Sequence, residues 1–308
     1  MDPHKEFAHR VANLFVEHPK MEEAFKAIDN IRNQNRYKIG GAQKSTRCAC
    51  IIGGSGVGKT QMALRYEEKN TGYLEVIDEV EYDITPVIYV ENPDPFTLQG
   101  FYKAIAARLG PLPIGRMLVD DAQKLALTRL MKLKVEVVII DEMDYILTSR
   151  AVNEKEAMQA IKGLANKAKL TVILMGTPEV ESLFKLNFQN FRRYPKWQLK
   201  RFEQCDQTWC DFLQKMEEAL SPPQSVGLGE INTGIPQLLF KMSKGLLGIL
   251  TPVLQEMYTL LGVFENDFND FSKIPNNQEL IPTLTQAYRN INGDLTELEY
   301  EEMLLRGY

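Results

Sequence analysis

Residues 48–60 read Cys48-Ala49-Cys50-Ile51-Ile52-Gly53-Gly54-Ser55-Gly56-Val57-Gly58-Lys59-Thr60, a short apolar run followed by the complete pattern G-x-x-x-x-G-K-[ST]. The spacing carries the signal. Glycines let successive backbone N–H groups curl around phosphates, Lys59 brings a fixed charge to the β/γ-phosphates, and the Thr60 hydroxyl is placed to ligate Mg²⁺. Gln61-Met62-Ala63-Leu64-Arg65-Tyr66-Glu67-Glu68 then supplies a helix of good helix formers without Pro or Gly. Strand, loop and helix in this order predict a nucleoside triphosphate site made by Gly53, Gly54, Ser55, Gly56, Val57, Gly58, Lys59 and Thr60. Kinases, GTPases and motors all share such a loop, so the reaction has to come from elsewhere in the chain.

It comes from Val135-Glu136-Val137-Val138-Ile139-Ile140-Asp141-Glu142, an apolar strand ending in two adjacent carboxylates. Asp141 is suited to hold Mg²⁺ together with Thr60, and Glu142 to polarise a water for in-line attack on the γ-phosphate. That pair points to hydrolysis rather than transfer to a small acceptor. Leu170-Thr171-Val172-Ile173-Leu174-Met175-Gly176-Thr177 is a further core strand ending in a hydroxyl. Thr177 is expected either to sense the γ-phosphate and orient the water, or to cap the helix that starts at Pro178. Phe191-Arg192-Arg193-Tyr194 follows the next helix, where Arg192 or Arg193 can reach the nucleotide of a neighbouring subunit and stabilise transition-state charge.

Apolar strands at 48–52, 87–90, 135–140, 170–175 and 197–199 alternate with helices at 60–69, 96–109, 120–131, 154–167 and 178–186. Continuous apolar strands separated by helices predict an α/β fold with a parallel five-stranded sheet covered on both faces. Phe7 to Arg36 has a helical pattern broken at His18-Pro19. After Phe202 only helices are expected, at 203–220, 236–244, 248–260 and 279–291. The expected organisation is an N-terminal helical arm (1–40), a nucleotide-binding core (41–202), a helical lid (203–262) and an acidic tail (263–308) open to a partner.

The 308 residues carry a net charge of −5, but charge is segregated. Arg32, Arg36, Lys38, Lys44, Arg47 and Lys59 occur between Asn30 and Thr60 without an acid, and Lys185 to Arg201 is a second basic stretch. Glu297, Glu299, Glu301 and Glu302 crowd the tail. Such runs are either solvated faces or nucleic-acid footprints. Cys48, Cys50, Cys205 and Cys210 lack metal-site spacing and read as reduced thiols. No run of about 18 apolar residues occurs and Met1-Asp2-Pro3-His4-Lys5-Glu6 lacks a signal-peptide pattern, so a cytoplasmic chain without a membrane partner is expected.

With phosphate loop, Asp141-Glu142, Thr177, Arg192-Arg193 and a helical lid in this order, the chain resembles an AAA+ P-loop ATPase. Val138-Ile139-Ile140-Asp141-Glu142-Met143-Asp144, Val172-Ile173-Leu174-Met175-Gly176-Thr177 and the Phe-Arg-Arg-Tyr segment make it similar to the TniB/TnsC group of transposon-encoded ATPases, from about residue 20 to 260. The resemblance implies ATP and Mg²⁺ as cofactors, slow and assembly-dependent hydrolysis, and a ring or helical homo-oligomer on double-stranded DNA. It also implies a link between a target-selection protein, in some systems a CRISPR-guided complex, and the transposase. In that group DNA-facing elements follow the second core strand, which here nominates Thr97, Lys103 and Arg116. The chain departs from many AAA+ lids at Gly248-Ile249-Leu250, where an arginine is common. The alternative is an AAA+ switch or loader acting on a protein partner without DNA; a metabolic kinase lacks a recognisable second substrate pocket.

Overall fold

The computed structural model describes residues 2–37, 46–186, 192–265, 268, 271, 274, 275 and 277–293. Lys38, Lys44, Phe191 and the tail glutamates 297, 299, 301 and 302 lie outside the described residues. The chain forms two compact units, one of residues 20–54 and 59–199 and the other of residues 1–19, 55–58 and 200–308.

In the first unit, helix α2 (Pro19–Tyr37) precedes β1 (Ala49–Ile52) and α3 (Lys59–Lys69). A hairpin of β2 (Tyr73–Ile77) and β3 (Val80–Ile84) leads into β4 (Val87–Glu91), α4 (Leu98–Arg108), α5 (Val119–Lys132) and β5 (Val137–Asp141). Then follow α6 (Asp144–Leu147), α7 (Glu154–Ala168), β6 (Thr171–Gly176), α8 (Glu181–Lys185) and β7 (Lys196–Gln198). Five strands form one sheet in the order β4-β5-β6-β1-β7, with every pairing parallel. The apolar runs explain this: β1, β5 and β6 are buried at every position, as strands covered on both faces must be. Cys48, Cys50, Val138, Ile140, Val172 and Leu174 face one core with α4, α5 and α7, and the alternate residues face the other side.

The hairpin was not expected from sequence. Asp78 and Glu79 both have positive φ (50° and 64°) at its turn, where Asn or Gly is the usual signal. Its two strands carry Glu75, Glu81 and Asp83 and leave Leu74, Val76, Val80 and Tyr82 exposed.

The second unit joins α1 (Pro3–Ala12) to α9 (Gln207–Leu220), α10 (Ile235–Ser243), α11 (Leu247–Leu260) and α12 (Ile281–Asn292). Phe7 and Val11 of α1 share a core with Trp209, Leu250, Tyr258 and Leu284, so the two halves of the expected N-terminal arm belong to different units. Val263, Phe268, Ile274 and Leu280, from the stretch read as an acidic tail, are buried in the same core. Glu217 is only 4% exposed, and its carboxylate accepts from Ser225 Oγ at 2.7 Å and from the N–H groups of Val226, Gly227 and Leu228. It fastens the Pro-rich connection after α9. The four cysteines are free thiols, three of them buried, and no described helix is long and apolar enough to cross a membrane.

Of the basic run before the loop, Arg32 is buried, whereas Arg36 and Arg47 are exposed and paired within the chain. Arg32, buried, donates to Glu136 Oε2 at 2.5 Å and to Asn70 Oδ1 at 2.6 Å. Arg36 reaches both Glu136 oxygens at 2.5 and 2.6 Å, and Arg47 donates to Gln34 Oε1 at 2.6 Å. Burial alone would raise the Glu136 carboxyl, but the hydrogen bonds and charges of Arg36 and Arg32 outweigh it and hold it below the ordinary value of 4.5. A carboxylate depressed in the native state stabilises fully above its unfolded pKa, and that stabilisation is lost as pH falls through the native one. Glu136→Gln should therefore lower the unfolding free energy by roughly 2 kcal/mol at pH 7, because it leaves two guanidinium groups short of a partner. The deficit should shrink below pH 4.5; urea denaturation across that range checks it, and a pH-independent deficit would contradict it.

Candidate functional site

Parallel pairing puts the C-terminal ends of β4, β5, β6 and β1 on one edge of the sheet, and each end delivers a polar group there. The loop leaves β1 with Gly53 N–H donating to the Gly176 carbonyl at 3.2 Å, which ties it to the end of β6. Gly56 and Gly58 have φ of 76° and 95°, a region that L side chains rarely adopt, so the glycines of the motif are required by the turn itself. At its tip, within the second unit, Gly56 accepts from Gly248 N–H at 2.8 Å, and a Cβ on Gly248 would lie 2.8 Å from Gly56 Cα. That close approach gives Gly248 a reason to be glycine independent of any lid arginine.

Lys59 Nζ donates to the carbonyls of Gly53 at 2.6 Å and Gly54 at 3.0 Å. Burial lowers its pKa, while Asp141, Asp144, Glu142 and Glu179 push the other way. A desolvated ammonium at a turn of glycines fits a polyanionic ligand. Thr60 Oγ1 donates to Asp141 Oδ2 at 2.7 Å, and Asp141 is 1% exposed. A hydroxyl oxygen beside a buried carboxylate is a hard-oxygen pair of the kind Mg²⁺ takes, with the remaining ligands coming from phosphates and water.

Glu142 follows in a left-handed conformation (φ 55°), an unfavourable one for a residue with this side chain. Its N–H donates to Asp141 Oδ1 at 2.9 Å and its carbonyl accepts from Asn92 Nδ2 at 3.3 Å. Burial, then the charges of Asp141 and Asp144, raise the Glu142 carboxyl above its ordinary value. A carboxylate made more basic by its surroundings is the better proton acceptor.

Thr177 sits at the start of the 3₁₀ turn Pro178–Val180, but its side chain makes no capping hydrogen bond. Asp144 holds it on both sides, accepting from Thr177 N at 3.0 Å through Oδ2 and from Thr177 Oγ1 through Oδ1. With its one hydrogen engaged by Asp144, the hydroxyl is left with lone pairs to accept.

Arg193 donates to Thr46 Oγ1 at 2.9 Å and Asn166 Oδ1 at 2.8 Å, and Arg192 is exposed. Thr46 precedes β1 and Gly53 follows it, so these arginines lie at the end of β1 away from the phosphate loop, a four-residue strand of about 13 Å between them. Neither serves the loop of its own chain. Of the residues nominated for DNA, Thr97 caps α4 by accepting from Gly100 N–H at 3.0 Å, Lys103 is half-buried on that helix, and Arg116 is exposed. Gln99 Nε2 donates to the Met117 carbonyl, and Arg129 donates to the carbonyls of Gly110 (2.7 Å) and Pro111 (2.6 Å). Arg116 and the fully exposed Ile114 thus stand on a loop fixed at both roots beside Thr97.

Asp144, Asn92 and Tyr89 were not singled out from sequence. Tyr89 donates its hydroxyl to Asp141 Oδ2 at 3.1 Å; burial first, and Asp141 beside it, raise the phenol's pKa. Only Asp144, in an Asp-Glu-x-Asp run, carried a local signal.

No curated protein matches this chain in sequence. Among solved structures, the chain is similar to Cdc6p from Pyrobaculum aerophilum, at TM-score 0.54 and 12% identity over 81% of this chain and 64% of that one. It thus spans less than two thirds of that protein's length. It is also similar to the ORC2 protein of Aeropyrum pernix, at TM-score 0.57 and 13% identity over 90% of this chain and 70% of that one. A third likeness is to Drosophila ORC bound to DNA, at TM-score 0.50 and 13% identity, covering 99% and 71%. These identities show the fold, which is that of AAA+ ATPases. The family model described as "Bacterial TniB protein" matches residues 8–204, and the chain belongs to the bacterial TniB family.

Proposed function

We propose that the protein is an ATP-hydrolysing regulator of transposition that oligomerises on double-stranded DNA and links a target-selection protein to the transposase, with hydrolysis driving disassembly. The observation that carries the enzymatic part is the strand-edge cluster of Lys59, Thr60, Asp141, Glu142 and Thr177. Mg²⁺ bound there would neutralise charge on the β- and γ-phosphates of ATP. Lys59 exchanges its loop carbonyls for phosphate oxygens. Thr60 and Asp141 would hold the metal, and Glu142 takes a proton from the attacking water. Thr177, its hydrogen directed at Asp144, accepts from that water and fixes its position. Arg192 is the better presented of the two arginines for reaching a neighbouring subunit, with Arg193 bracing the segment from within.

The DNA part is supported by family membership, by the presence of DNA on one protein of like fold, and by the exposed Arg116 loop beside Thr97. Backbone contacts of that kind give affinity without sequence preference and a steep salt dependence. A second reading, an AAA+ switch acting on a protein alone, is favoured by the hairpin of β2 and β3. Its exposed Leu74, Val76 and Val80 among carboxylates suit a protein surface and repel a phosphate backbone.

Lys59→Ala should abolish ATP-dependent assembly, as read by sedimentation with and without ATP. Glu142→Gln should keep ATP binding and assembly while turnover falls by a factor on the order of 10² to 10⁴; unchanged turnover would exclude Glu142 as the base. DNA binding measured with ATP, with ADP and without nucleotide should be strongest with ATP. Arg116→Ala should weaken it equally on unrelated sequences and reduce the salt slope by about 1. Equal binding in all three nucleotide conditions, or rings that ignore DNA, would favour the protein-only switch.

A further inference from the structure

We propose that Tyr89 is a positioning residue for the metal site, holding Asp141 in the orientation in which it meets the Thr60 hydroxyl. The inference rests on the ATPase reading above and concerns a residue that no motif contains.

Strand register brings the two together. Tyr89 pairs with Ile139 and Glu91 with Asp141, so Tyr89 and Asp141 project on the same face of adjacent strands, two residues apart along them. This is the face opposite the cluster of Ile88, Val90, Val138 and Ile140. A residue with a short side chain at position 89 could not span that offset, whereas the phenol places its hydroxyl 3.1 Å from Asp141 Oδ2. Thr60 donates to the same oxygen at 2.7 Å, and the Glu142 N–H occupies Oδ1 at 2.9 Å. Asp141 is almost wholly removed from solvent, so its orientation is set by these protein donors.

The tyrosine is itself fixed to the helix that carries Thr60. Tyr89 N–H donates to Glu67 Oε1 of α3 at 2.8 Å. Arg108 of α4 completes the frame, donating to the Tyr89 carbonyl at 3.2 Å and to Glu67 Oε2 at 2.7 Å. One helix therefore bears Thr60 and, two turns later, the carboxylate that fixes Tyr89. Both donors to Asp141 Oδ2 are referenced to a single rigid element. The bracket acts on the backbone of position 89, and the shared acceptor is what a tyrosine that merely filled space would not need.

The test uses the full chain and Tyr89→Phe, which keeps the ring and removes only the hydroxyl. Affinity for a fluorescent ATP analogue is titrated against Mg²⁺ and again in EDTA, with thermal melting as a check on folding. The expected result is a roughly five- to tenfold rise in the Mg²⁺ concentration needed for half-maximal binding, with affinity in EDTA unchanged. An unchanged Mg²⁺ requirement would overturn the proposal. So would a loss of equal size with and without Mg²⁺ accompanied by a lower melting temperature, since that pattern assigns the hydroxyl to packing. If the wild-type chain bound no nucleotide under either condition, the ATPase reading itself would fail; Mg²⁺-dependent binding by the wild type that Tyr89→Phe leaves unaltered would remove the present inference alone.

Discussion

Five strands running the same way have all their C-terminal ends on one side, and everything chemical in the α/β unit depends on that constraint. Antiparallel pairing of any one core strand would carry its terminal group to the far edge. Because β1, β4, β5 and β6 agree in direction, Gly53, Asn92, Asp141 and Thr177 emerge together, from segments separated by long stretches of chain. The sheet tolerates full burial because its strands are apolar throughout, and the polar residues are reserved for the ends.

Internal bonds also hold most polar groups of the site, although the Oδ1 of Asn92 is buried without a hydrogen-bond partner. Lys59 rests on loop carbonyls, Asp141 is held by three donors, Thr177 by Asp144, and Glu142 is kept in a left-handed backbone conformation between Asp141 and Asn92. Strain of that kind persists only where neighbours over-determine it. Here the neighbours are the groups proposed to act in hydrolysis, so the fold itself sets much of their mutual geometry.

The fold was largely legible because its signals are local: apolar runs for strands, fixed glycine spacing for the loop, adjacent carboxylates at a strand end. What escaped depends on register and packing. Tyr89 looks like an ordinary strand aromatic until pairing with β5 sets it beside Asp141. The hairpin escaped because its turn uses Asp78-Glu79 where glycine or asparagine would have announced it. The basic stretch before the loop does present Arg36 and Arg47 at the surface, yet Arg32 and Arg36 are matched to Glu136, a residue about a hundred positions away that no periodicity connects to them. Helix α1 was joined to α2 by adjacency in sequence, whereas its apolar face, Phe7 and Val11, was shaped for Trp209 and Tyr258.

The internal pairing of Arg32, Arg36, Arg47 and Lys196 has a further meaning under the proposed DNA-binding role. Formal charge counted along the sequence overstates what one copy can offer a phosphate backbone. On that proposal a single subunit would grip only a few phosphates, and tight binding would arise when many copies share one duplex and each raises the effective concentration of the next. Residence on DNA would then be a collective property, steep in protein concentration and sensitive to the loss of any one contact between neighbours.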